Sequence, residues 1–544
     1  MSKIKRIAAL LLALVMVMGM SVTSFAEQKK PTENDSMKVT IENVEAGATF
    51  RAYQLIDAAY SPNGDGFTGY EWATGTPNAG QKVTFQNKNG KESIVGLTDQ
   101  LVTALAADPS GLTGVNPEGA FDPMQHELTA GTWMILVTPP SENSVKVYNP
   151  MIVSVYYKVD GSGSMGELDS DKLDANTNWT LETTNAFAKS SEITLTKDLD
   201  NPQVDTEVMV GQTVPFTITS QIPSYSSEYY KDPVFKISDT IVNGLEYTGE
   251  PQVYVGGVLA VGSQAPAVSS QAPAGTQYTL TYNSTSGFEI AFTKEYIHSL
   301  AGKSAADRAV TVKYSAKVLD SAVTKVGENK AKVEYSSTPG ETTTKEDKEY
   351  VFTFALHGVF NKVDDANEKL KDATFTLYVE DENGTETLEW GEAKNLLVSK
   401  VNDYTTTDDG EIKFKGLDGD KVYYLKETEA PSGYSINDTI YKVTFTFEKP
   451  DNYKGENITY TVHVSNNKND ETQSYTVTYG EQVPNDGFGN KAKEEGKETN
   501  IPNTKLSSLP STGGIGTTIF TIGGCLIMIV AAGLFFATRK KSAK

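Results

Sequence analysis

The residue types that most often carry chemistry in proteins are few and widely separated in this sequence. Cys525 is the only cysteine, and the four histidines lie at least 59 residues apart, at His126, His298, His357 and His463. A metal site needs several such ligands close together, and a disulfide needs two cysteines. No Ser/His/Asp arrangement follows from these positions. The sequence therefore predicts no metal ion and no enzyme that acts on an external substrate.

Two other segments match ligand-binding patterns only in part. Gly161-Ser-Gly-Ser-Met-Gly166 fits G-x-G-x-x-G after a predicted strand, but the polar residues that follow it open no apolar-faced helix. We expect a turn there and no dinucleotide or other cofactor. The acidic loop Asp364-Asp-Ala-Asn-Glu368 lacks the EF-hand pattern, and bound calcium is left open.

The N-terminus has the three parts of a secretory signal peptide. Lys3, Lys5 and Arg6 precede an apolar run over 7–20, and Ser24-Phe25-Ala26 supplies small residues at a cleavage site. We expect residues 1–26 to be removed after Ala26. A membrane anchor is the alternative, although the apolar run is short for a bilayer span.

The C-terminus combines a short motif, an apolar stretch and a basic tail. Leu509-Pro510-Ser511-Thr512-Gly513 precedes an apolar stretch over 515–537, long enough to cross a bilayer, and then Arg539-Lys-Lys. This order resembles the LPxTG cell-wall sorting signal of sortase substrates in Gram-positive bacteria. The resemblance implies cleavage between Thr512 and Gly513, transfer of the Thr512 carbonyl to an amine, and loss of residues 513–544. It also implies a secreted protein anchored to peptidoglycan; a simple C-terminal membrane anchor is the alternative.

Net charge limits the partners of the chain. The formal charge is −22, although both ends are basic, so the body between them is strongly acidic. Such a body repels nucleic acid, and we expect no nucleic-acid partner. An exported chain without a disulfide must also stabilise its domains in another way.

The middle of the chain is predicted to be all-β. Short alternating runs rich in Val, Thr, Tyr and Phe, separated by Gly and Pro, suit tandem sandwiches of immunoglobulin-like architecture. One helix is expected after Thr98 as N-cap. The polar stretch Gly340-Glu-Thr-Thr-Thr-Lys-Glu-Asp-Lys348 is predicted to separate the second module from the third. The predicted boundaries are 27–189, 190–345 and 350–503, followed by a linker and the LPSTG motif over 504–512.

The third module carries the most specific motif. Tyr423-Tyr-Leu-Lys-Glu427-Thr-Glu-Ala-Pro-Ser-Gly-Tyr434 resembles the E-box of Cna B-type domains, with Phe360-Asn-Lys362-Val-Asp upstream and Asn500-Ile-Pro-Asn503 at the end. Asp372 stands where the family usually has Gly. The resemblance implies an intramolecular isopeptide bond between Lys362 and Asn503, assisted by Glu427, with Asn500 as the rival electrophile. Burial would favour the neutral amine and the protonated acid that such a bond requires.

The second module resembles a Cna A-like domain. Thr194-Leu-Thr-Lys197 supplies a first-strand lysine, Asp239-Thr-Ile-Val-Asn-Gly-Leu245 resembles the strand with the assisting acid, and Glu328-Asn329 opens the late strand. The resemblance implies a Lys197–Asn329 bond assisted by Asp239; an uncross-linked sandwich is the alternative. In the first module, Gly131-Thr-Trp-Met-Ile-Leu-Val137 lacks the following acid, so we expect no bond there.

Together these motifs resemble the major, or backbone, pilins of sortase-assembled pili. Relatives place their polymerisation lysine at the end of the first domain, often directly after a Pro. Val145-Lys-Val-Tyr-Asn-Pro150 resembles that motif but has no Lys after Pro. The resemblance therefore points to Lys189, at the end of the first module, with Lys146 and Lys158 as rivals. The implied partners are pilus-specific and housekeeping sortases, other copies of the chain, minor pilins and peptidoglycan. The alternative function is an anchored adhesin, or a minor tip or base pilin, that binds a host matrix or cell-surface ligand.

Overall fold

The computed structural model describes most of the chain between the two predicted ends. The described residues are 24–25, 30–63, 66–88, 91–115, 124–140, 144–159, 179–184, 186–199, 206–242, 244–264, 273–323, 326–391, 393–449, 453, 457–468, 472–479, 487–492, 498–506 and 516–541. Gly161–Gly166, Leu509–Gly513 and nearly all of the predicted signal peptide lie outside them. The chain forms two compact units, Met1–Phe352 and Thr353–Lys544. The predicted all-β class is confirmed.

The N-terminal half of the first unit has one large sheet and smaller ones around it. Its elements are β1 (Ser24–Phe25), β2 (Ser36–Glu42), β3 (Thr49–Tyr60), β4 (Phe67–Trp72), β5 (Phe85–Lys88), β6 (Lys91–Ile94), α1 (Asp99–Ala107), β7 (Gly114–Val115), β8 (Met124–Thr129), β9 (Gly131–Thr138), β10 (Lys146–Tyr148), β11 (Met151–Val159), β12 (Trp179–Thr183), β13 (Ala186–Phe187) and β14 (Ser190–Glu192). The large sheet has the order β1-β12-β11-β9-β3-β4, with β7 on β3. Strands β13-β2-β8, β10-β14 and β5-β6 form the smaller sheets.

The predicted helix after Thr98 is confirmed. Helix α1 begins at Asp99, and the Thr98 side chain accepts a hydrogen bond from the Leu101 backbone N–H at 3.2 Å. This cap satisfies one of the amides that a helix start leaves without an intrahelical partner. Val102 and Ala106 are the buried residues of the helix, so its apolar face packs on the core while its polar face stays in solvent.

The second half of the first unit is a sandwich of two sheets. Its elements are β15 (Leu195–Leu199), β16 (Thr213–Gln221), β17 (Phe235–Val242), β18 (Leu245–Tyr247), β19 (Gln252–Val255), β20 (Val258–Leu259), β21 (Gly262–Gln264), β22 (Tyr278–Asn283), β23 (Gly287–Phe292), α2 (Lys294–Ser299), β24 (Ala309–Val318), β25 (Gly327–Thr338) and β26 (Glu341–Val351). One sheet has the order β15-β16-β24-β19-β20, with β18 on β24, and the other β21-β22-β23-β17-β25-β26. Side chains of β24 and β25 alternate between buried and less buried positions, as expected for strands with one face on a core.

The predicted separator at Gly340–Lys348 is wrong. Residues Glu341–Val351 form strand β26, which pairs with β25 along nearly its whole length. The strand lies at the edge of its sheet, where charged and threonine side chains can face water on both sides. Cross-strand ion pairs hold it, with Lys348 Nζ 2.9 Å from Glu328 Oε1. The polar composition of this segment therefore indicated a linker where the structure has an edge strand. The first unit ends just after this strand, at Phe352.

The two halves of the first unit share a hydrophobic core. Buried residues from Met37 to Val351 form one continuous cluster. The halves are also joined by hydrogen bonds: the Tyr335 hydroxyl donates to the Ser144 carbonyl at 2.7 Å, and Asn149 Nδ2 donates to the Ser224 carbonyl at 2.7 Å. The boundary predicted at 189/190 thus falls inside one compact unit.

The second unit is a β-sandwich followed by a helix. Its elements are β27 (Phe354–Asp364), β28 (Thr374–Glu380), β29 (Glu386–Trp390), β30 (Ala393–Thr405), β31 (Glu411–Leu417), β32 (Tyr423–Glu429), β33 (Ile440–Phe447), β34 (Ile458–Asn466), β35 (Gln473–Tyr479), β36 (Thr499–Asn503) and α3 (Gly516–Lys541). One sheet has the order β31-β27-β36 and the other β29-β30-β28-β32-β33-β34-β35. The first and last strands, β27 and β36, are parallel neighbours. Within α3, Ile519–Arg539 is long and apolar enough to cross a membrane.

Candidate isopeptide sites

Three strands of the second unit bring Lys362, Glu427 and Asn503 together in its core. Lys362 lies on β27, Glu427 on β32 and Asn503 on β36, and each is at most 1% exposed. The Asn503 amide nitrogen donates to Glu427 Oε1 at 2.7 Å, and the Lys362 amine donates to the Ile501 carbonyl at 2.6 Å. A backbone amide, that of Asn437, donates to the other Glu427 oxygen at 2.9 Å.

The turn at Asp409-Gly410 holds the backbone of Lys362 in place. Its N–H donates to the Gly410 carbonyl at 2.7 Å. Gly410 has φ +65°, and a Cβ there would lie 2.8 Å from the Lys362 carbonyl oxygen. The glycine of the Asp409-Gly410 turn is thus required by close approach and by backbone conformation. Asp372, at the position where relatives have Gly, adopts φ 62°.

Burial shifts the pKa values of Lys362 and Glu427 toward the protonation states that amide formation needs. It lowers the pKa of Lys362 to about 8 and raises the pKa of Glu427, because both charged forms lose hydration. Asn503 Oδ1 is buried and has no hydrogen-bond partner among the residues that the structure describes. The oxygen and nitrogen of an asparagine side chain are assigned from their contacts. With the Asn503 amide turned by 180°, its oxygen would accept a hydrogen bond from a protonated Glu427.

The structure separates the two candidate electrophiles. Asn500 is exposed, and its side chain donates only a long hydrogen bond, 3.4 Å, to Asn367 Oδ1. Asn503 lies three residues further along β36, on the opposite face of the strand, which is the face that points with Lys362 toward Glu427 of the other sheet. In the β27–β36 pair, Lys362 is opposite Ile501 and Asp364 is opposite Asn503. The amine and the Asn503 amide therefore project from the same side of adjacent strands.

A second cluster lies inside the sandwich of the first unit. Lys197 on β15 and Asp239 on β17 have fully buried side chains, with Lys197 Nζ 2.5 Å from Asp239 Oδ2. Asn329 on β25 is 0% exposed. Its amide nitrogen donates to the Tyr314 hydroxyl at 3.0 Å, and the Lys197 amine contacts the same hydroxyl. The Tyr247 hydroxyl donates to Asp239 Oδ1 at 2.7 Å.

The electrostatics of this cluster parallel those of the first. Burial lowers the pKa of Lys197 and raises the pKa of Asp239, although each charge opposes the shift of the other. A proton moved from the ammonium to the carboxylate leaves two neutral groups, which a dry pocket favours. Within the described part of the chain, Asn329 Oδ1 is buried and has no hydrogen-bond partner, like the corresponding atom of Asn503.

Three features of this second site had no signal in the motifs. Tyr314 and Tyr247 belong to strands whose sequences show only the alternation of apolar residues expected for a core, with no sign of a reactive site. Asp347, on the edge strand β26, accepts a hydrogen bond from the Lys197 backbone N–H at 2.9 Å. A residue from the stretch predicted to be a linker therefore helps to place the candidate nucleophile.

The candidate polymerisation lysine lies beside a cavity of the first unit. Lys189 is 40% exposed, and its Nζ is 3.9 Å from Asp99 Oδ1 at the start of α1. Burial lowers the pKa of its amine. The cavity measures about 570 Å³ and is lined by α1, by Lys189–Ser191 and by loops around Ser226 and Gly302.

The two rival lysines have different surroundings. Lys146 Nζ donates to Asn43 Oδ1 at 2.9 Å, and Lys158 Nζ lies 3.0 Å from Glu182 Oε1. Neither is among the residues that line the cavity beside Lys189. Thr512, the predicted donor of the acyl group, lies outside the described residues.

Three parts of the chain match known protein families. Residues 34–190 match the T6 antigen Ig-like domain family, residues 357–449 the SpaA prealbumin-like fold domain family, and residues 501–544 the LPXTG cell wall anchor motif. The chain is 25% identical to the trypsin-resistant surface T6 protein of Streptococcus pyogenes serotype M6, with 98% of this chain and 99% of that protein aligned.

A solved structure agrees with the sequence match. The T6 backbone pilin of serotype M6 Streptococcus pyogenes superposes with a TM-score of 0.55 at 20% identity, over 88% of this chain and 100% of that one. The chain is an LPXTG-anchored surface protein with the fold of a major pilin. The full-length major pilin SpaD of Corynebacterium diphtheriae is also similar, with a TM-score of 0.43 and 17% identity over 89% of this chain and 99% of that one. The prediction of a cell-wall-anchored, secreted protein is confirmed by the anchor match.

Proposed function

We propose that this chain is the backbone subunit of a covalent pilus. The main observation behind this proposal is that 98% of the chain aligns with the trypsin-resistant surface T6 protein. The solved structure of the T6 backbone pilin from the same serotype has a similar fold. A sortase would cleave after Thr512 and transfer its carbonyl to the amine of Lys189 in the next copy. The last subunit would be joined to peptidoglycan instead.

The surroundings of Lys189 support this choice of amine. Its side chain is partly exposed, so an incoming thioester can reach it, yet partial burial favours the neutral, nucleophilic form. Asp99 Oδ1 is 3.9 Å from the amine, and a small side-chain movement would let it take up the proton that the amine loses. Lys146 and Lys158 are each held by a closer partner.

Autocatalytic cross-linking is the second part of the proposal. In each cluster the neutral lysine amine attacks the side-chain carbonyl carbon of asparagine, the C–N bond of the primary amide breaks, and one ammonia leaves. Glu427 or Asp239 takes up the excess proton of the lysine ammonium and assists the transfer of a proton to the departing amide nitrogen. Folding buries the three groups close together, and this proximity replaces a separate enzyme.

Such bonds would carry tension along the subunit. Lys362 and Asn503 lie on the first and last strands of the second-unit sandwich, and Lys197 and Asn329 on the first and penultimate strands of the preceding one. In the second-unit sandwich, a pull on the two ends would thus pass through an amide bond before it could separate strands. In the preceding sandwich, the bond would protect β15 to β25, and the last strand, β26, would lie outside it. By analogy with a disulfide across a loop of about 100 residues, each bond would contribute about 4–5 kcal/mol.

The alternatives are a minor tip or base pilin and an anchored adhesin that binds a host ligand. Either protein would be found at fibre tips or on the wall, and not along the fibres. Immunogold labelling with antibodies to this chain separates the cases. Regular decoration along fibres supports a backbone subunit that assembles with minor pilins. Label confined to fibre tips or to the wall would contradict the proposal.

A further inference from the structure

The Tyr314 hydroxyl occupies the centre of the Lys197 site. Tyr314 lies on β24, and its ring stacks on Phe216 with centroids 5.6 Å apart and planes 17° apart. Its hydroxyl oxygen accepts hydrogen bonds from the Lys197 amine and from the Asn329 amide nitrogen, the latter at 3.0 Å. The Asp239 carboxyl binds the same Lys197 amine, with 2.5 Å between Nζ and Oδ2. One phenol therefore contacts both the nucleophile and the leaving nitrogen.

The two sites differ in how the acid reaches the amide. In the second unit, Glu427 binds the Asn503 amide directly at 2.7 Å. In the Lys197 site, the two Asp239 oxygens take the amine at 2.5 Å and the Tyr247 hydroxyl at 2.7 Å. Within the described residues, no hydrogen bond joins Asp239 to Asn329; Tyr314 binds Asn329 and also the Lys197 amine that Asp239 holds.

We propose that Tyr314 is a catalytic residue of the Lys197 site, where it relays a proton from the attacking amine to the departing amide nitrogen. As Lys197 Nζ bonds to Cγ of Asn329, the amine gives one proton to the phenol oxygen. The phenol gives its own proton to Asn329 Nδ2, which leaves as ammonia. The phenol ends unchanged, and no further reactant is needed. The inference rests on the proposed Lys197–Asn329 bond.

A refolding time course tests this role. Chains covering residues 27–512 are isolated under denaturing conditions after brief synthesis, refolded by dilution, sampled over time and digested with trypsin. Mass spectrometry then measures the Lys197–Asn329 branched peptide against the Lys362–Asn503 branched peptide from the same molecules. In Tyr314→Phe, the first should form about 100-fold more slowly, the usual size of a general acid–base contribution. The second should form at the wild-type rate.

Tyr225→Phe is the matched control. Tyr225 is a fully buried tyrosine of the same sandwich, and its hydroxyl donates to the Ser336 carbonyl at 3.0 Å, outside the cluster. Loss of that hydroxyl should leave both rates unchanged. Equal rates for Tyr314→Phe and wild type would overturn the relay, whereas wild-type protein without the Lys197–Asn329 peptide would overturn the cross-link itself.

A second substitution separates chemistry from folding. Tyr314→Phe keeps the ring that packs on Phe216, and circular dichroism checks that the variant is folded. If it is not, 3-fluorotyrosine introduced at position 314 by stop-codon suppression keeps the hydroxyl and its contacts but makes the phenol more acidic. The rate of the Lys197–Asn329 bond should then change, while fluorotyrosine at position 225 should not alter it. An unchanged rate at position 314 would contradict proton relay.

Discussion

Lys362 and Asn503 lie on adjacent parallel strands, β27 and β36, with Asn503 opposite Asp364, two residues beyond Lys362. This register puts the amine of the first strand of the sandwich and the amide of the last strand on one buried face. Glu427, from the facing sheet, hydrogen-bonds the amide at 2.7 Å. The fold therefore does the work of bringing nucleophile, electrophile and acid together, and the following predictions test what they do there.

Glu427→Gln should block the Lys362–Asn503 bond alone. Glutamine fills the same space but cannot exchange a proton with the amide, so the bond should form at least about 100-fold more slowly. Intact mass of the folded variant should be lower than calculated by one ammonia, from the Lys197 site. Asp239→Asn is the reciprocal control and should retain only the bond of the second unit. A Glu427→Gln protein that loses two ammonia molecules would exclude the acid role.

Lys362→Met should lower the free energy of unfolding of the second unit by about 4–5 kcal/mol, because the denatured chain regains the entropy of an open loop. Methionine keeps most of the buried volume, so the lost cross-link dominates. Denaturant unfolding followed by tyrosine fluorescence would measure the change. Asn500→Ala, at an exposed position on the same strand, should change stability by less than about 0.5 kcal/mol and keep the mass of the cross-linked protein. Loss of the bond in this control would make Asn500 the electrophile.

Stability of the unlinked protein should depend on pH in the alkaline range. Burial lowers the pKa of Lys362 from 10.5 to about 8, and the Glu427→Gln change removes a charge that raises it. Between about 8 and 10.5 the unfolded chain binds the proton that the folded chain has lost, so the free energy of unfolding should rise with pH. At about 1.4 kcal/mol per pKa unit, we expect a gain of about 3 kcal/mol across this window in Glu427→Gln.

Denaturant unfolding at several pH values checks this slope. The double variant Lys362→Met/Glu427→Gln lacks the titrating amine and should show no such rise from this site. An equal slope in both proteins would mean that Lys362 is not the group responsible.

Lys189→Arg should abolish pilus polymerisation. Arginine keeps the positive charge beside Asp99 but stays protonated and cannot attack the sortase thioester. Wall extracts boiled in SDS should then lose their high-molecular-weight ladder, while single subunits attached to peptidoglycan remain. Lys146→Arg and Lys158→Arg are the matched controls and should keep the ladder. A ladder that survives Lys189→Arg but disappears in one control would reassign the amine.

The sequence predicted most of the second-unit site because its motif spans the strands that meet. Lys362, Glu427 and Asn503 occupy fixed positions in recognisable strands, and the structure adds the register that favours Asn503 over Asn500. Tyr314 could not be predicted in the same way. Its only signal is the alternation of β24, where Val310, Val312 and Tyr314 all point inward, and a core tyrosine follows the same pattern.

The edge strand β26 was misread for a related reason. Residues 341–349 contain no buried side chain, so period-two hydrophobicity, the usual sign of a strand, is missing. Pairing with β25 and cross-strand ion pairs hold this segment instead. The core shared across 189/190 could not be predicted from the sequence, because it depends on long-range contacts such as Tyr335 to Ser144. The family match over residues 34–190 ends at the predicted boundary.

Intact mass of the folded chain over residues 27–512 tests the central claim most directly. If buried amines replace sulfur bridges in this protein, the mass must be lower than calculated by two ammonia molecules, and tryptic maps must contain branched peptides joining Lys362 to Asn503 and Lys197 to Asn329. A mass equal to the calculated value, with only linear peptides, would contradict the account.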